Sequence, residues 1–298
     1  MNKSFKSGFI TIIGKPNVGK STLMNALIGE KIAIVTNKPQ TTRNKIRCIL
    51  TEEEFQAVFI DTPGIHDPKT KLGNFMVGSS ISAFSEADII LYLVEPTEKI
   101  SKIDMSIIER LKNIKANIFL SINKIDKIER SELLSIIDKY QELFEFKEII
   151  PISAAKRDGL ENLTETIKQY LPIGPKYFPD DMLTDQPERQ IAAEIIREKS
   201  LMLLQEEIPH GIAVEIMSMK QRPGKDIVDV EATIYCEKDS HKGMVIGKGG
   251  EMLKSIGSRS RADMERLLGS KIFLEIWVKV KKDWRNSDFL LKNFGYKK

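Results

Sequence analysis

Between residue 8 and about residue 171, short apolar runs alternate with longer stretches whose apolar positions recur every three or four residues. The runs fall at 9–13, 57–60, 89–94, 118–122 and 149–152. Their length and continuity suit buried strands. Leu133, Ile136, Ile137, Tyr140 and Phe144 mark one amphipathic helix, and Leu160, Leu163, Ile167 and Leu171 mark another. Strands alternating with such helices call for a mostly parallel sheet covered by crossover helices. The stripes themselves are core packing and carry no chemistry.

The pattern breaks over 172–187, where prolines and an adjacent acidic pair interrupt both periodicities. That stretch reads as a linker. Beyond it the chain predicts a helix at 188–207, strands at 212–219 and 227–236, a glycine-rich turn, a helix at 251–268, a strand at 272–281 and a basic tail. The expected organisation is a first domain over 1–172, a linker over 173–187 and a second domain over 188–298. A length of 298 residues suits two domains.

Composition narrows the classes. An apolar fraction of 41% and a charged fraction of 30% fit a soluble folded protein, and a net charge of +4 is too small to name an acidic partner. Cys48 and Cys236 stand far apart with no CxxC or Cys/His cluster, which argues against a disulfide framework or a zinc site and for a reducing cytoplasm. The first apolar run is too short for a signal peptide, and no stretch is long enough to span a bilayer.

The chemistry begins directly after the first run. Gly14, Lys15, Pro16, Asn17, Val18, Gly19, Lys20 and Ser21 match GxxxxGK[ST] and open a helix. In that setting backbone N–H groups and the helix N-terminus face an anion. Lys20 would reach the β- and γ-phosphates, and the Ser21 hydroxyl would ligate magnesium. A phosphate loop does not choose between ATP and GTP. Asn123, Lys124 and Asp126 supply NKxD after the run at 118–122. The Asp126 carboxylate can accept from N1–H and the exocyclic amine of guanine, donors that adenine lacks in that arrangement. Asn123 would brace the loops and the Lys124 stem would lie against the base. Asp61, Thr62, Pro63 and Gly64 form a DxxG at the end of the run at 57–60. Such a tetrapeptide is common, and its value is positional: Asp61 would hold magnesium through water and the Gly64 N–H would sense the γ-phosphate. Between these motifs, Pro39, Gln40, Thr41, Thr42 and Arg43 offer a threonine to close over the metal, Thr42 being favoured over Thr41. Ser153 and Ala154 follow the last run and could meet guanine through backbone groups.

GKPNVGKS, PQTTR, DTPG, NKID and SAA in this order and spacing resemble the Era and TrmE group of GTPases over about 170 residues. The second domain carries Val245, Ile246, Gly247, Lys248, Gly249 and Gly250, and its element order is similar to the type II KH fold. The fold class implied is α/β, a P-loop GTPase domain followed by a smaller α+β KH domain. A GxxG turn lets a nucleic-acid backbone approach while a neighbouring groove reads about four unpaired bases. Val245, Ile246 and the strand at 227–236 could line that groove, with Lys242 and Lys254 anchoring phosphates. The resemblance further implies GTP/GDP and Mg2+ as ligands, slow GTP hydrolysis, binding near the 3′ end of small-subunit ribosomal RNA, a part in assembling the small ribosomal subunit, and peripheral membrane association. A monomer is expected. The alternative is a membrane-associated signalling switch whose basic tail, 279–298, meets anionic lipid.

Other residues invite assignment. His66 follows the DxxG but reads as a solvated loop residue, and His210 and His241 are isolated. Trp277 lies on an apolar strand and is expected in the core. After DTPG stands Ile65, which cannot orient water as a glutamine there would. Something cationic should then stabilise the charge between the β- and γ-phosphates, supplied by Arg43, an external arginine or a monovalent ion. Asn17 is placed to ligate K+, as such an asparagine does in the TrmE relatives.

Overall fold

The computed structural model describes residues 4–36, 38, 40–97 and 99–296. Contacts divide the chain into two units. The first holds Met1–Ala33, Thr42–Pro68 and Met76–Asp185, and the second holds Ile34–Thr41, Lys69–Phe75 and Gln186–Lys298.

In the first unit six strands form one sheet: β1 (Lys6–Ile13), β2 (Ile46–Thr51), β3 (Phe55–Asp61), β4 (Ile89–Val94), β5 (Asn117–Ile122) and β6 (Glu148–Pro151). Their spatial order is β2-β3-β1-β4-β5-β6, with β2 antiparallel to β3 and the other pairs parallel. The apolar runs are continuous because these strands are covered on both faces, and every residue of β3 and β4 is buried. The unit's helices are α1 (Lys20–Ile28), α3 (Lys102–Leu111), α4 (Arg130–Gln141) and α5 (Leu160–Tyr170), and α2 (Lys71–Ser82) belongs to it from Met76 onward. The apolar stripe of α5 buries Leu160, Leu163 and Ile167. Each such side chain removed from water contributes roughly 1.5–3 kcal/mol. α3 starts on a capping box in which Ser101 and Asp104 satisfy each other's backbone N–H. Because β1 lies between β3 and β4, the chain leaves it toward opposite sides of the sheet, and the crevice beyond its C-terminal end is where such sheets bind ligands.

The proline-rich stretch that reads as a linker is tied to this sheet as far as Asp185. Ser7 N–H donates to Pro172 O and Ser7 Oγ to Pro175 O at 3.0 and 2.6 Å. Buried Gln56 accepts from the N–H groups of Tyr177 and Phe178 and donates to Phe178 O. Ile49 N–H reaches Leu183 O at 2.9 Å. Prolines interrupt helices and ladders without preventing the remaining backbone groups from being satisfied in this way.

The second unit is a three-stranded sheet, β7 (Ala213–Gln221), β8 (Ile227–Cys236) and β9 (Lys271–Val280), in that order, with β7 antiparallel and β9 parallel to β8. Its further helices are α6 (Glu188–Leu203), α7 (Asp239–Ile246), α8 (Glu251–Leu268) and α9 (Asp288–Asn293). Ile195 and Ile196 of α6, Val245 of α7 and Ile256 and Met264 of α8 pack on Val230, Ala232, Ile234, Ile272 and Val278, so this core lies on one face of the sheet. α7 is helical where the sequence pattern predicts a turn.

The two tryptophans lie in opposite surroundings. Trp277, expected in the core, is 62% exposed, because β9 alternates and its inward positions are Ile272, Leu274, Ile276 and Val278. Trp284 is buried, its indole N–H donating to Gly211 O at 2.8 Å and its ring lying against Phe294 and Tyr296.

Candidate functional site

Gly14 to Ser21 form the loop between β1 and α1, at the crevice. Gly19 holds φ 101° as the residue before the helix, and a Cβ there would meet Asn123 Nδ2 at 2.3 Å, so both backbone and space demand glycine. Asn17 also sits in the left-handed region, at φ 67°, a conformation asparagine tolerates better than most residues. Lys20 is buried, and its ammonium donates to Gly14 O and Lys15 O at 3.1 and 2.9 Å. Burial pulls its pKa down to about 8 against the opposing pull of Asp61. Bound phosphates would give that ammonium anionic oxygens in place of neutral carbonyls.

The metal-binding expectation can be tested on the oxygen atoms themselves. Ser21 Oγ donates to Asp61 Oδ2 at 2.6 Å, Thr42 Oγ1 donates to the same oxygen at 3.2 Å, and the two hydroxyls are 3.0 Å apart. Asp61 Oδ1 is buried with no hydrogen-bond partner among the described residues. Burial raises the pKa of Asp61, offset by Lys20 and by the bonds from Ser21, Thr42 and Thr62. Three convergent hard oxygens, one carboxylate under-satisfied, fit Mg2+, which keeps several waters and takes its remaining ligands from phosphate. Thr41 does not join them: its hydroxyl donates to Lys38 O at 2.6 Å. Pro39 lies outside the described residues. Arg43 is buried.

The remaining nucleotide motifs converge on the same loop. Ile65 N–H donates to Gly14 O at 3.3 Å, placing Gly64 beside the phosphate loop, while Ile65 itself is buried with Ile13 and Phe84. His66 Nδ1 is 2.7 Å from Gly64 O, a local contact within its own turn. Asn123 braces both neighbouring loops, donating to Val18 O at 2.8 Å and accepting from Ala154 N–H at 3.0 Å. Lys124 reaches Asn17 O at 2.8 Å and pairs with Glu95. Asp126 is exposed, and Ser153 Oγ donates to its Oδ1 at 2.6 Å, which lowers the carboxyl pKa. Ser153 thus holds the Asp126 carboxylate through its side chain, where the sequence suggested backbone contact with guanine. No local pattern foretells the strut under Lys15. Its ammonium pairs with buried Asp104 at 2.7 Å, and Tyr92 OH donates to the other oxygen at 2.9 Å.

In the second unit Gly247 ends α7 at φ 75° and ψ 173°, and a Cβ there would meet Met252 Cβ at 2.6 Å. Lys248 and Gly249 are exposed at the tip of the turn, and Gly250 precedes α8 in the left-handed conformation. Lys242 and Lys254 are exposed on either side. Val245 is withdrawn from the interface: it is 0% exposed and belongs to the core under β8. Ile246 is half-buried against that core. The strand at 227–236 is also corrected, since β8 is the central strand and β9 the edge beside α8. There a cavity of about 510 Å³ runs from Gly250 between Lys254 and Arg261 of α8 and Phe273 and Ile276 of β9. Lys254, Gly257, Ser258 and Arg261 were legible as one basic, small-residue stripe at helical spacing.

Comparison with known proteins places this geometry. A family model described as 50S ribosome-binding GTPase matches residues 9–124, and one described as KH domain matches residues 207–285. The chain is 58% identical over 293 residues to the GTPase Era of Alkaliphilus metalliredigens, covering 98% of this chain and 99% of the relative. A crystal structure of an Aquifex aeolicus Era variant bound to GDP·AlF4− is similar at TM-score 0.93 and 41% identity, over 98% of this chain and 99% of that one. Another, of Era in complex with MgGDPNP and nucleotides 1506–1542 of 16S ribosomal RNA, has the same score, identity and coverage.

Proposed function

The chain belongs to the Era family of GTPases, and we propose that it uses GTP hydrolysis to time its hold on the 3′ end of small-subunit ribosomal RNA during assembly of the small subunit. The observation that carries the reading is one chain holding a Ser21–Thr42–Asp61 metal constellation with a guanine-reading Asp126, followed by a GxxG turn opening onto a basic groove. The RNA bound by the relative in crystals is small-subunit RNA, which supports the small over the large subunit as partner. We assign the GTPase role to 1–172, joined by 173–187 to an RNA-binding region over 188–298 that acts in a monomer.

In this reading Mg2+ supplies positive charge to the β- and γ-phosphates, held by the hydroxyls of Ser21 and Thr42 and, through water, by Asp61. Lys20 binds the same phosphates, and the Gly64 N–H reports the γ-phosphate. Asn123, Lys124, Asp126, Ser153 and Ala154 form the base pocket. Ile65 cannot orient water, so charge stabilisation falls to a monovalent cation near Asn17. Turnover should be faster in K+ than in Na+ at matched ionic strength, and Asn17→Ala should erase the difference; equal native rates would reject the ion.

A cytoplasmic location accords with the partner. Among the described residues no helix is long and apolar enough to cross a membrane. The lipid-binding alternative draws little support from the tail, because Trp284, Leu291 and Tyr296 are buried, leaving Phe289 exposed at 73%.

The RNA assignment is tested by measuring affinity for a single-stranded oligonucleotide of the 16S 3′ end with the native chain and with Lys254→Glu/Arg261→Glu. Two charge reversals in the groove should weaken binding by at least about 100-fold and flatten its salt dependence, with GTP hydrolysis in the absence of RNA unchanged. Undiminished affinity would place the RNA elsewhere.

A further inference from the structure

In the second unit α6, α7 and α8 cover one face of the sheet. On the opposite face Phe294 packs on Tyr235 and Thr233 is buried, and beyond them that face carries an unusual row of exposed side chains. Along β9 the outward positions are Lys271, Phe273, Glu275, Trp277 and Lys279. Their partners on β8 are in register: Asp229 opposite Phe273, Glu231 opposite Glu275, Thr233 opposite Trp277. Phe273 is 50% exposed and Trp277 62%, and both glutamates are exposed.

At one step of this ladder the protein supplies its own occupant. The Arg222 guanidinium is paired to Asp229 and lies 5.4 Å from the centroid of the Phe273 ring. One carboxylate and one aromatic ring thus hold a guanidinium by a charge-assisted fork and by cation–π attraction. The next steps offer the same chemistry without a guest. Glu231 and Glu275 face each other, neither in an ion pair among the described residues, with Trp277 two positions along β9. Like charges directly opposite in a sheet are destabilising, and tryptophan is the strongest cation–π partner. An exposed indole beside two unneutralised carboxylates is a poor surface for water and a worse one for phosphate.

We propose that this open sheet face, at Glu231, Glu275 and Trp277, docks an arginine-bearing segment of a protein partner. The partner's guanidinium bridges the two carboxylates and stacks on the indole, repeating what Arg222 does at the neighbouring step. Arginine fits better than lysine, because two carboxylates and a flat ring match a planar fork with five donors. Outward residues on one strand recur every 6.6 Å or so, the spacing of alternate residues in an extended peptide. The groove between α8 and β9 stays available for RNA, so both partners can be held at once.

The test uses the full chain and a fluorescent peptide alternating arginine and serine, with lysine–serine and glutamate–serine counterparts. Anisotropy should show the arginine peptide binding more tightly than the lysine one and the glutamate one not at all. Glu231→Gln/Glu275→Gln, which removes charge from exposed positions without changing shape, should weaken arginine binding by about ten-fold or more. Trp277→Ala should weaken it independently, and Lys254→Glu should leave it unchanged. Native binding equal to that of the double variant, or no preference for arginine over lysine, would overturn the proposal. So would single-stranded RNA or anionic vesicles whose affinity falls with Trp277→Ala and rises with the glutamine pair, or a dimer in solution that Trp277→Ala dissociates.

Discussion

In the proposed function a single carboxylate selects the base. Asp126 is exposed and held by Ser153, so its oxygens are aimed without being buried. Asp126→Asn replaces an acceptor pair by an amide that can donate to the second carbonyl of xanthine, and should shift preference from GTP to XTP by several orders of magnitude. Competition binding with the two nucleotides measures it, and unchanged GTP affinity would remove Asp126 from the base pocket. Lys20 gives a second consequence, in pH. Its pKa in the fold is about 8 against 10.5 for the free side chain, because burial disfavours the charge. Between those values the unfolded chain keeps a proton the folded chain has lost, so this group's contribution to stability rises with pH across that window. Nucleotide binding has the opposite sign: phosphate restores the charge, so binding takes up a proton above about pH 8 and weakens as pH rises. Calorimetry of GTP binding in two buffers of different ionisation enthalpy should show uptake by Lys20 at about pH 8.5 and not at about pH 6.5; equal heats in both buffers at the higher pH would refute it.

At the level of elements, what the sequence made legible followed from burial. Strands covered on both faces leave continuous apolar runs, and β1, β3, β4, β5 and β6 stand where those runs predicted. β2 escaped because it is an antiparallel edge strand whose Arg47 and Thr51 interrupt the run. α7 escaped because its eight residues, with Gly243 inside and Gly247 at the end, carry no helical stripe, only Val245 being buried within it. Trp277 was misplaced for a related reason. β9 alternates Phe273 and Trp277 outward with Ile272, Leu274 and Ile276 inward, so large apolar residues stand on both faces and composition hides the period of two. Motif residues were legible because phosphate loops and base readers are short and contiguous, whereas the groove depends on which strand forms the sheet edge, a property of topology. The strut of Lys15 on Asp104, 89 positions apart, left no trace in local pattern.

For the molecule as a whole, the informative feature is where the chain passes between units. Ile34–Thr41 lies between two motifs of the nucleotide site, yet it belongs to the second unit. There Arg197, buried on α6, donates to Gln40 O at 3.4 Å and to Thr41 O, and is itself held by Glu194. Glu198 accepts from Val35 N–H at 2.9 Å, and Lys38 reaches Leu204 O at 3.2 Å. The next residue, Thr42, is the one whose hydroxyl meets Ser21 and Asp61. In the proposed function the hydroxyl that closes on the metal and γ-phosphate is therefore continuous along the chain with backbone carbonyls held by α6, so the position of this segment bears on both activities. Coupling of this kind is reciprocal: what GTP does to RNA affinity, RNA does to GTP affinity. Arg197→Lys keeps the charge but loses the planar fork across the two carbonyls, and should reduce the coupling with both sites intact. The measurement is RNA affinity with GDP and with a non-hydrolysable GTP analogue, for the native chain and the variant, beside nucleotide affinity without RNA. A native ratio that collapses toward unity in the variant, with nucleotide affinity in the absence of RNA held within about three-fold, supports this role. An unchanged ratio would mean that the two sites communicate by another route.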